Sequence, residues 1–257
     1  MVKVLFIGDI VSIPGCNTVR KILPKLKNEQ KIDIVIANAE NSASGNGMSK
    51  KSAMHLLDSG CDILTGGNHS FKRHESYSFL NESEIALRPA NFPESCPGKG
   101  FCIYDKGRFS IAVINLIGRV YLEPNNSPFE EVDKLLKKIN TPLVLVDFHA
   151  EATGEKGAMA YYLDGRVSAV IGTHTHVQTN DARILKNGTG FITDVGMVGP
   201  YDSILGVDSN CIIRKLTTNL PTRFEVNDTQ CIFNAAIIEL DEITGKCEKI
   251  SVLSMVY

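Results

Sequence analysis

Ile171-Gly172-Thr173-His174-Thr175-His176 sets two imidazoles two residues apart, directly after a short apolar run. Neutral imidazole is a common ligand for borderline metals, and a pair fixed on one backbone can converge on one point or on two adjacent ones. His-x-His pairs also occur on ordinary solvated loops, so the reading depends on their company. Four other polar stretches end comparable apolar runs: Gly8-Asp9, Ala39-Glu40-Asn41, Gly67-Asn68-His69 and Asp147-Phe148-His149. Together they supply ligand types for two metal ions.

The apolar runs read as strands. Val2–Ile7 is nearly continuous in apolar residues, as expected of a strand covered on both faces. Residues 32–37, 61–65, 143–148 and 167–171 read as further strands. Residues 8–15 read as a loop, and Val19, Ile22, Leu23 and Leu26 then follow a helical pattern with Pro24 as a kink or early break. Ser49 can cap a helix that runs to Ser59 and is closed by Gly60. The chain thus opens on a repeated β-loop-α rhythm. In parallel α/β sheets, ligands bind outside the carboxyl ends of the strands. That rule gathers the polar stretches onto one rim.

The remainder is less regular. Residues 100–104 and 109–116 read as a hairpin with its turn at 105–108, and 129–139 as an amphipathic helix. Residues 156–163 read as a helix stopped by Gly165, and Asn187-Gly188 as the turn between strands at 182–185 and 190–193. A loop is expected over 194–206, helix at 212–216, and closing strands at Cys231–Leu240 and 249–253. With no long linker or internal repeat, residues 1–257 are expected to form a single domain with a mixed β-sheet core faced by helices.

A formal net charge of −2 gives no general attraction to nucleic acid or anionic membrane, so no stable nucleic-acid complex is expected. An anionic substrate must then meet local positive charge, which bound metal would provide. Seven cysteines, an odd number with no Cys-x-x-Cys, read as reduced thiols of a cytoplasmic protein. No run approaches the ~20 apolar residues that cross a bilayer.

Each polar stretch has an ordinary structural reading: Asp9 as a cap, Glu40-Asn41 as a turn, Asn68-His69 as a loop, His149 as a hydrogen-bonded core residue. Capping does not explain their joint occurrence at the ends of five strands. His55 and His74 lie in helical surroundings and read as surface residues. The order Asp, Glu-Asn, Gly-Asn-His, His, Gly-x-His-x-His resembles the calcineurin-like metallophosphoesterases. In detail it is similar to their YmdB branch, bacterial 2′,3′-cyclic nucleotide phosphodiesterases. The branch features are Gly8-Asp9-Ile10-Val11, Arg88-Pro89-Ala90-Asn91, the stretch from Val146 to Glu151, that from Gly172 to Thr179, and Asp194-Val195-Gly196-Met197. Val11 stands where the wider superfamily has histidine, as in the branch. Ser12, Cys16 and Phe71-Lys72 depart from the branch, which usually has Gly, Arg and Trp-Asp there.

The resemblance implies a four-layer α-β-β-α sandwich, an α/β fold, and a homo-oligomer. It also implies two divalent ions, one held by Asp9, Glu40, Asn41 and His176, the other by Glu40, Asn68, His149 and His174, with Glu40 bridging. Nitrogen and oxygen ligands without thiolate admit iron, manganese or zinc. Two divalent ions are neutralised by Asp9, Glu40, a bridging hydroxide and a phosphodiester monoanion. A cyclic nucleotide is accordingly the expected substrate, with His69 as general acid. A phosphomonoesterase and a nucleotide-sensing regulatory protein of low turnover are the alternatives.

Overall fold

The computed structural model describes residues 1–227 and 229–257. Two sheets stack face to face. The first has seven strands: β1 (Val2–Ile7), β2 (Asp9–Ile10), β3 (Ile34–Asn38), β4 (Ile63–Thr65), β11 (Met197–Pro200), β12 (Cys231–Leu240) and β13 (Cys247–Val256). Their order is β2-β11-β12-β1-β3-β4, with β13 also pairing β12. The second runs β5 (Phe101–Asp105), β6 (Ser110–Ile117), β7 (Leu143–His149), β8 (Ala169–Thr173), β10 (Gly190–Ile192) and β9 (Arg183–Ile184). Parallel pairing joins β1-β3-β4 at one edge of the first sheet and β6-β7-β8-β10 through the middle of the second.

Alternation along each strand divides its side chains between two cores. Val2, Val4 and Phe6 of β1 meet Leu143 and Leu145 of β7 and Ile171 of β8 between the sheets. Leu5 and Ile7 point the other way, into a layer with Val19, Leu23 and Leu56 from the helices α1 (Ser12–Gln30) and α2 (Lys50–Asp58) and Leu80 from α3 (Ser76–Glu82). On the far side, Val144 and Val146 pack with Val132 of α4 (Pro128–Leu136) and Met159 of α5 (Thr153–Leu163). Three apolar layers therefore separate four structural ones, helix, sheet, sheet, helix, as the resemblance implies. Because both faces of each central strand are covered, the sequence reads as unbroken apolar runs.

Several expectations are corrected. Pro24 does not break α1, which continues to Gln30. A proline inside a helix costs ~3 kcal/mol, and burial of Val19, Ile22, Leu23 and Leu26 on this face, ~1.5–3 kcal/mol each, outweighs it. The loop expected over 8–15 is shorter, since β2 takes Asp9–Ile10 and α1 starts at Ser12. Within 194–206 lies β11, whose Met197 and Val198 pair with Asp9 and Ile10. The seven-residue α3 begins just after His74, in surroundings read as helical but given no bounds, and α6 (Ser209–Thr218) extends beyond the anticipated 212–216 on both sides. The Ser49 cap is as expected: Ser52 N donates to Ser49 Oγ at 3.1 Å and Ser49 N donates to Ser52 Oγ at 3.0 Å.

One buried charge pair fixes the loop after β8. Lys156 of α5 is 1% exposed and its Nζ lies 2.7 Å from Asp194 Oδ2. That carboxylate also accepts from Thr175 N at 3.0 Å and Gly196 N at 2.8 Å, tying the His-x-His loop to the start of β11. Removing one partner of such a pair strands a buried charge, at ~3–5 kcal/mol. Lys156→Met is expected to lower the unfolding free energy by that amount in a denaturant titration. A loss below ~1 kcal/mol would show that the backbone donors alone hold Asp194.

Candidate metal centre

Every expected site residue sits at the carboxyl end of a parallel strand. Asp9 follows β1, Glu40 and Asn41 follow β3, Asn68 and His69 follow β4, His149 ends β7, and His174 and His176 follow β8. Hydrogen bonds and close charge contacts join all eight into one cluster. His149 Nε2 lies 2.9 Å from Asn68 Oδ1, 3.0 Å from His174 Nδ1 and 3.3 Å from Glu40 Oε2. Asn41 Nδ2 donates to Glu40 Oε1 at 2.9 Å and lies 3.3 Å from His176 Nε2, which is 3.7 Å from Asp9 Oδ1. His69 Nδ1 stands 2.8 Å from Asn41 Oδ1 and 3.2 Å from Glu40 Oε1. His174 and His176 adopt φ of 101° and 65°, conformations that cost an L-residue ~1–2 kcal/mol each. The loop accepts this strain where it turns both rings inward.

The electrostatics of the cluster call for a cation. Asp9 and His149 are fully buried and Glu40 is 1% exposed. Burial pushes the Asp9 carboxyl up, against the pull of His176 and His149. For Glu40 burial pushes the same way, but His149 and His69 outweigh it and hold the carboxyl well below its ordinary value. Burial would lower His149, yet Glu40, Asp9 and Asp147 raise it to about 9. Burial, then the neighbouring His149, bring His174 down to about 3. Two buried carboxylates thus stand among imidazoles, an arrangement that suits added positive charge.

The donors fit a divalent ion. One ligand atom each from Glu40, His149 and His174 lie within 4.8 Å of one another, and Asp9 Oδ1 is buried with no hydrogen-bond partner among the described residues. The backbone keeps a space clear at Gly67. A Cβ there would fall 2.2 Å from Glu40 Oε2 and 2.3 Å from His149 Nε2, in the middle of the donors.

A buried polar chain behind the ligands carried no role in the sequence reading. His149 Nδ1 lies 3.0 Å from Thr173 Oγ1, which donates to Asp147 Oδ1 at 2.7 Å. Asn38 Nδ2 and Thr65 Oγ1 both donate to Asp147 Oδ2. The chain orients the imidazole so that Nε2 faces the other ligands. Its one sequence signal is an acidic residue, Asp147, inside the most apolar strand. Glu151, whose Oε2 is 3.0 Å from His174 Nε2, was also missed. His74 is exposed as expected, but His55 is only half exposed and its Nε2 is buried. Glu40, Asn41, His69, Glu151, His174 and His176 open onto a cleft of about 310 Å³.

Gly67→Ala tests the centre. The variant is expected to keep its circular dichroism spectrum but lose bound metal by elemental analysis. Full metal content would place the ion elsewhere.

Comparison with known proteins gives the family. A 2′,3′-cyclic-nucleotide 2′-phosphodiesterase of Bacillus subtilis is 47% identical over 250 residues, covering 96% of this chain and 95% of the relative. A hypothetical protein from Thermus thermophilus superposes with a TM-score of 0.94 at 40% identity, covering 99% of both chains. A structure described as a novel phosphatase from Mycoplasma pneumoniae also gives 0.94, at 33% identity, covering 99% of this chain and 93% of that one. Residues 5–253 match the family described as YmdB-like protein, and the chain belongs to that family.

Proposed function

We propose that this chain hydrolyses 2′,3′-cyclic nucleotides at a two-metal centre. The observation that carries the reading is the gathering of the seven candidate ligand side chains and His69 into one cluster, five of the eight opening onto a cleft, in a chain 47% identical to a cyclic-nucleotide phosphodiesterase. Asp9, Glu40, Asn41 and His176 would hold one ion and Glu40, Asn68, His149 and His174 the other. When bound, the ions supply Lewis-acid charge and lower the pKa of a water for attack on phosphorus.

The chain's own residues do the rest. Asp9 and Glu40 bring two negative charges, and the other ligands are neutral when bound, so net positive charge is left for an anionic ester. Asn41 Nδ2 now faces Glu40 and His176. Ligation through Oδ1 requires this amide turned over, which presents Nδ2 as a donor to His69 Nδ1. The His69 proton then resides on Nε2, where it can pass to the leaving ribose oxygen. Glu151 accepts from His174 Nε2, which frees Nδ1 of that ring for metal. Free cysteines fit a reducing compartment, and we place the enzyme in the cytoplasm. No helix among the described residues is long and apolar enough to cross a membrane.

Phosphomonoester hydrolysis is the second reading, favoured by the description of the similar Mycoplasma pneumoniae protein as a phosphatase. A monoester dianion would overshoot the charge balance by one. The deciding measurement is kcat/KM for 2′,3′-cyclic AMP against 3′-AMP and a nitrophenyl monoester at saturating manganese. The cyclic diester is expected to lead; a monoester ahead by tenfold, about 1.4 kcal/mol, would replace the reading. His69→Ala should retain two ions per chain by elemental analysis. It should lose ~10²–10⁴-fold on the cyclic nucleotide and less on a nitrophenyl diester, whose leaving group needs no proton. Equal losses on both would leave His69 a positioning role only.

A further inference from the structure

The cleft has an apolar side as well as a ligand side. Val11, Leu205, Val207, Phe224 and Val226 line it together with the histidines. Phe224 contributes the one phenyl or phenol ring of this lining among the described residues, and it is 42% exposed. Four of these five residues come from 205–226, a stretch that returns across the rim. It is braced there: His176 Nδ1 donates to the Leu205 carbonyl at 3.0 Å, and Asp208 N donates to the Glu225 carbonyl at 2.9 Å. Asn227 Nδ2 closes the same turn onto Asp208 Oδ2 at 2.6 Å. Lys215 Nζ lies 4.9 Å from the Phe224 ring centroid, a cation against its π system.

An exposed ring on a braced segment, bordering a cleft that is otherwise a cluster of metal ligands, asks for a ligand with two poles. One pole is an anionic ester for the metal side. The other is a flat, π-bearing group for the ring. A cyclic nucleotide has both, with the ribose as spacer. Phe224 and Val226 also line a neighbouring open groove of about 850 Å³, and Ser12, Gly45 and Asn46 border both spaces. A base lying against Phe224 therefore has room at its outer edge, so purines and pyrimidines both fit.

We propose that Phe224, with Val226 and Leu205, is the nucleobase subsite of this cleft. The proposal rests on the cyclic-nucleotide reading above and adds to it where the base lies. Every base has a π face, so stacking here rewards the presence of a base more than its identity.

Two experiments test it. The first compares kcat/KM for 2′,3′-cyclic AMP with that for glycerol 1,2-cyclic phosphate, which has the five-membered ring but no base. In the unaltered protein the nucleotide should lead, and Phe224→Ala should cut that ratio about tenfold, chiefly through KM. Phe224→Tyr should restore it. An unchanged ratio in Phe224→Ala, or equal rates on both substrates before mutation, overturns the subsite. Failure of the unaltered protein on both substrates would instead sink the phosphodiesterase reading. The second uses the absence of tryptophan from the sequence. Phe224→Trp creates a single reporter, whose fluorescence should be quenched saturably by 3′-AMP and not by glycerol 2-phosphate in manganese-loaded protein. Equal response to both, or to neither, overturns the proposal.

Discussion

Burying carboxylates is costly, and this fold buries Asp9 and Glu40 side by side with the ends of its most apolar strands. Taken alone, each ionised group would face a penalty of several kcal/mol after relaxation. The structure meets that penalty with oriented donors. His174 N donates to Asp9 Oδ2 at 3.1 Å and His69 N to Glu40 Oε2 at 3.1 Å, while His149 stands between the two acids. Those donors leave Asp9 Oδ1 with no hydrogen-bond partner among the described residues, and the carboxylates around His149 push its imidazole up to about 9. The remaining demand is for mobile positive charge, and the ligand geometry follows from that demand.

Much of the architecture serves to bring the acids together. Parallel pairing of β1 with β3 puts Asp9 and Glu40 at the same end of one sheet, and parallel pairing of β7 with β8 does the same for His149 and His174 in the other. The two sheets then need to approach closely at that end. A small residue permits it: a Cβ at Gly67, just after β4, would fall 2.3 Å from Nε2 of His149 at the end of β7. The Lys156–Asp194 pair holds the His-x-His loop against this junction from the helix side.

The parts of this plan that were legible in the sequence are those that obey a local period. Unbroken apolar runs announced strands covered on both faces, and the polar residues just past them announced the rim. All eight residues that the structure gathers into the candidate site were singled out this way, and the roles proposed for them come from the family resemblance. What was illegible depends on partners far along the chain. Pro24 looks like a helix breaker until the sheet beneath α1 is known. Asp9–Ile10 is a strand only because Met197 and Val198 come alongside. Asp147 is a lone acid until Asn38, Thr65 and Thr173 are brought to it across two sheets.

Phe224 lay beyond sequence reasoning for a related reason. It sits in a stretch of mixed polar and apolar residues without period, and its meaning comes from the return of 205–226 over the rim. The hydrogen bond from His176 to Leu205 joins the two sides of the cleft physically: the ring that presents Nε2 to the metal side is held at Nδ1 by the segment that carries the apolar wall. Movement of that segment would tilt the His176 ring, proposed above as a ligand, and a turn of the ring would in turn loosen the wall. On the proposed reading, a base bound against the wall would favour the ring orientation that ligation needs, which would couple recognition of the base to that of the phosphate.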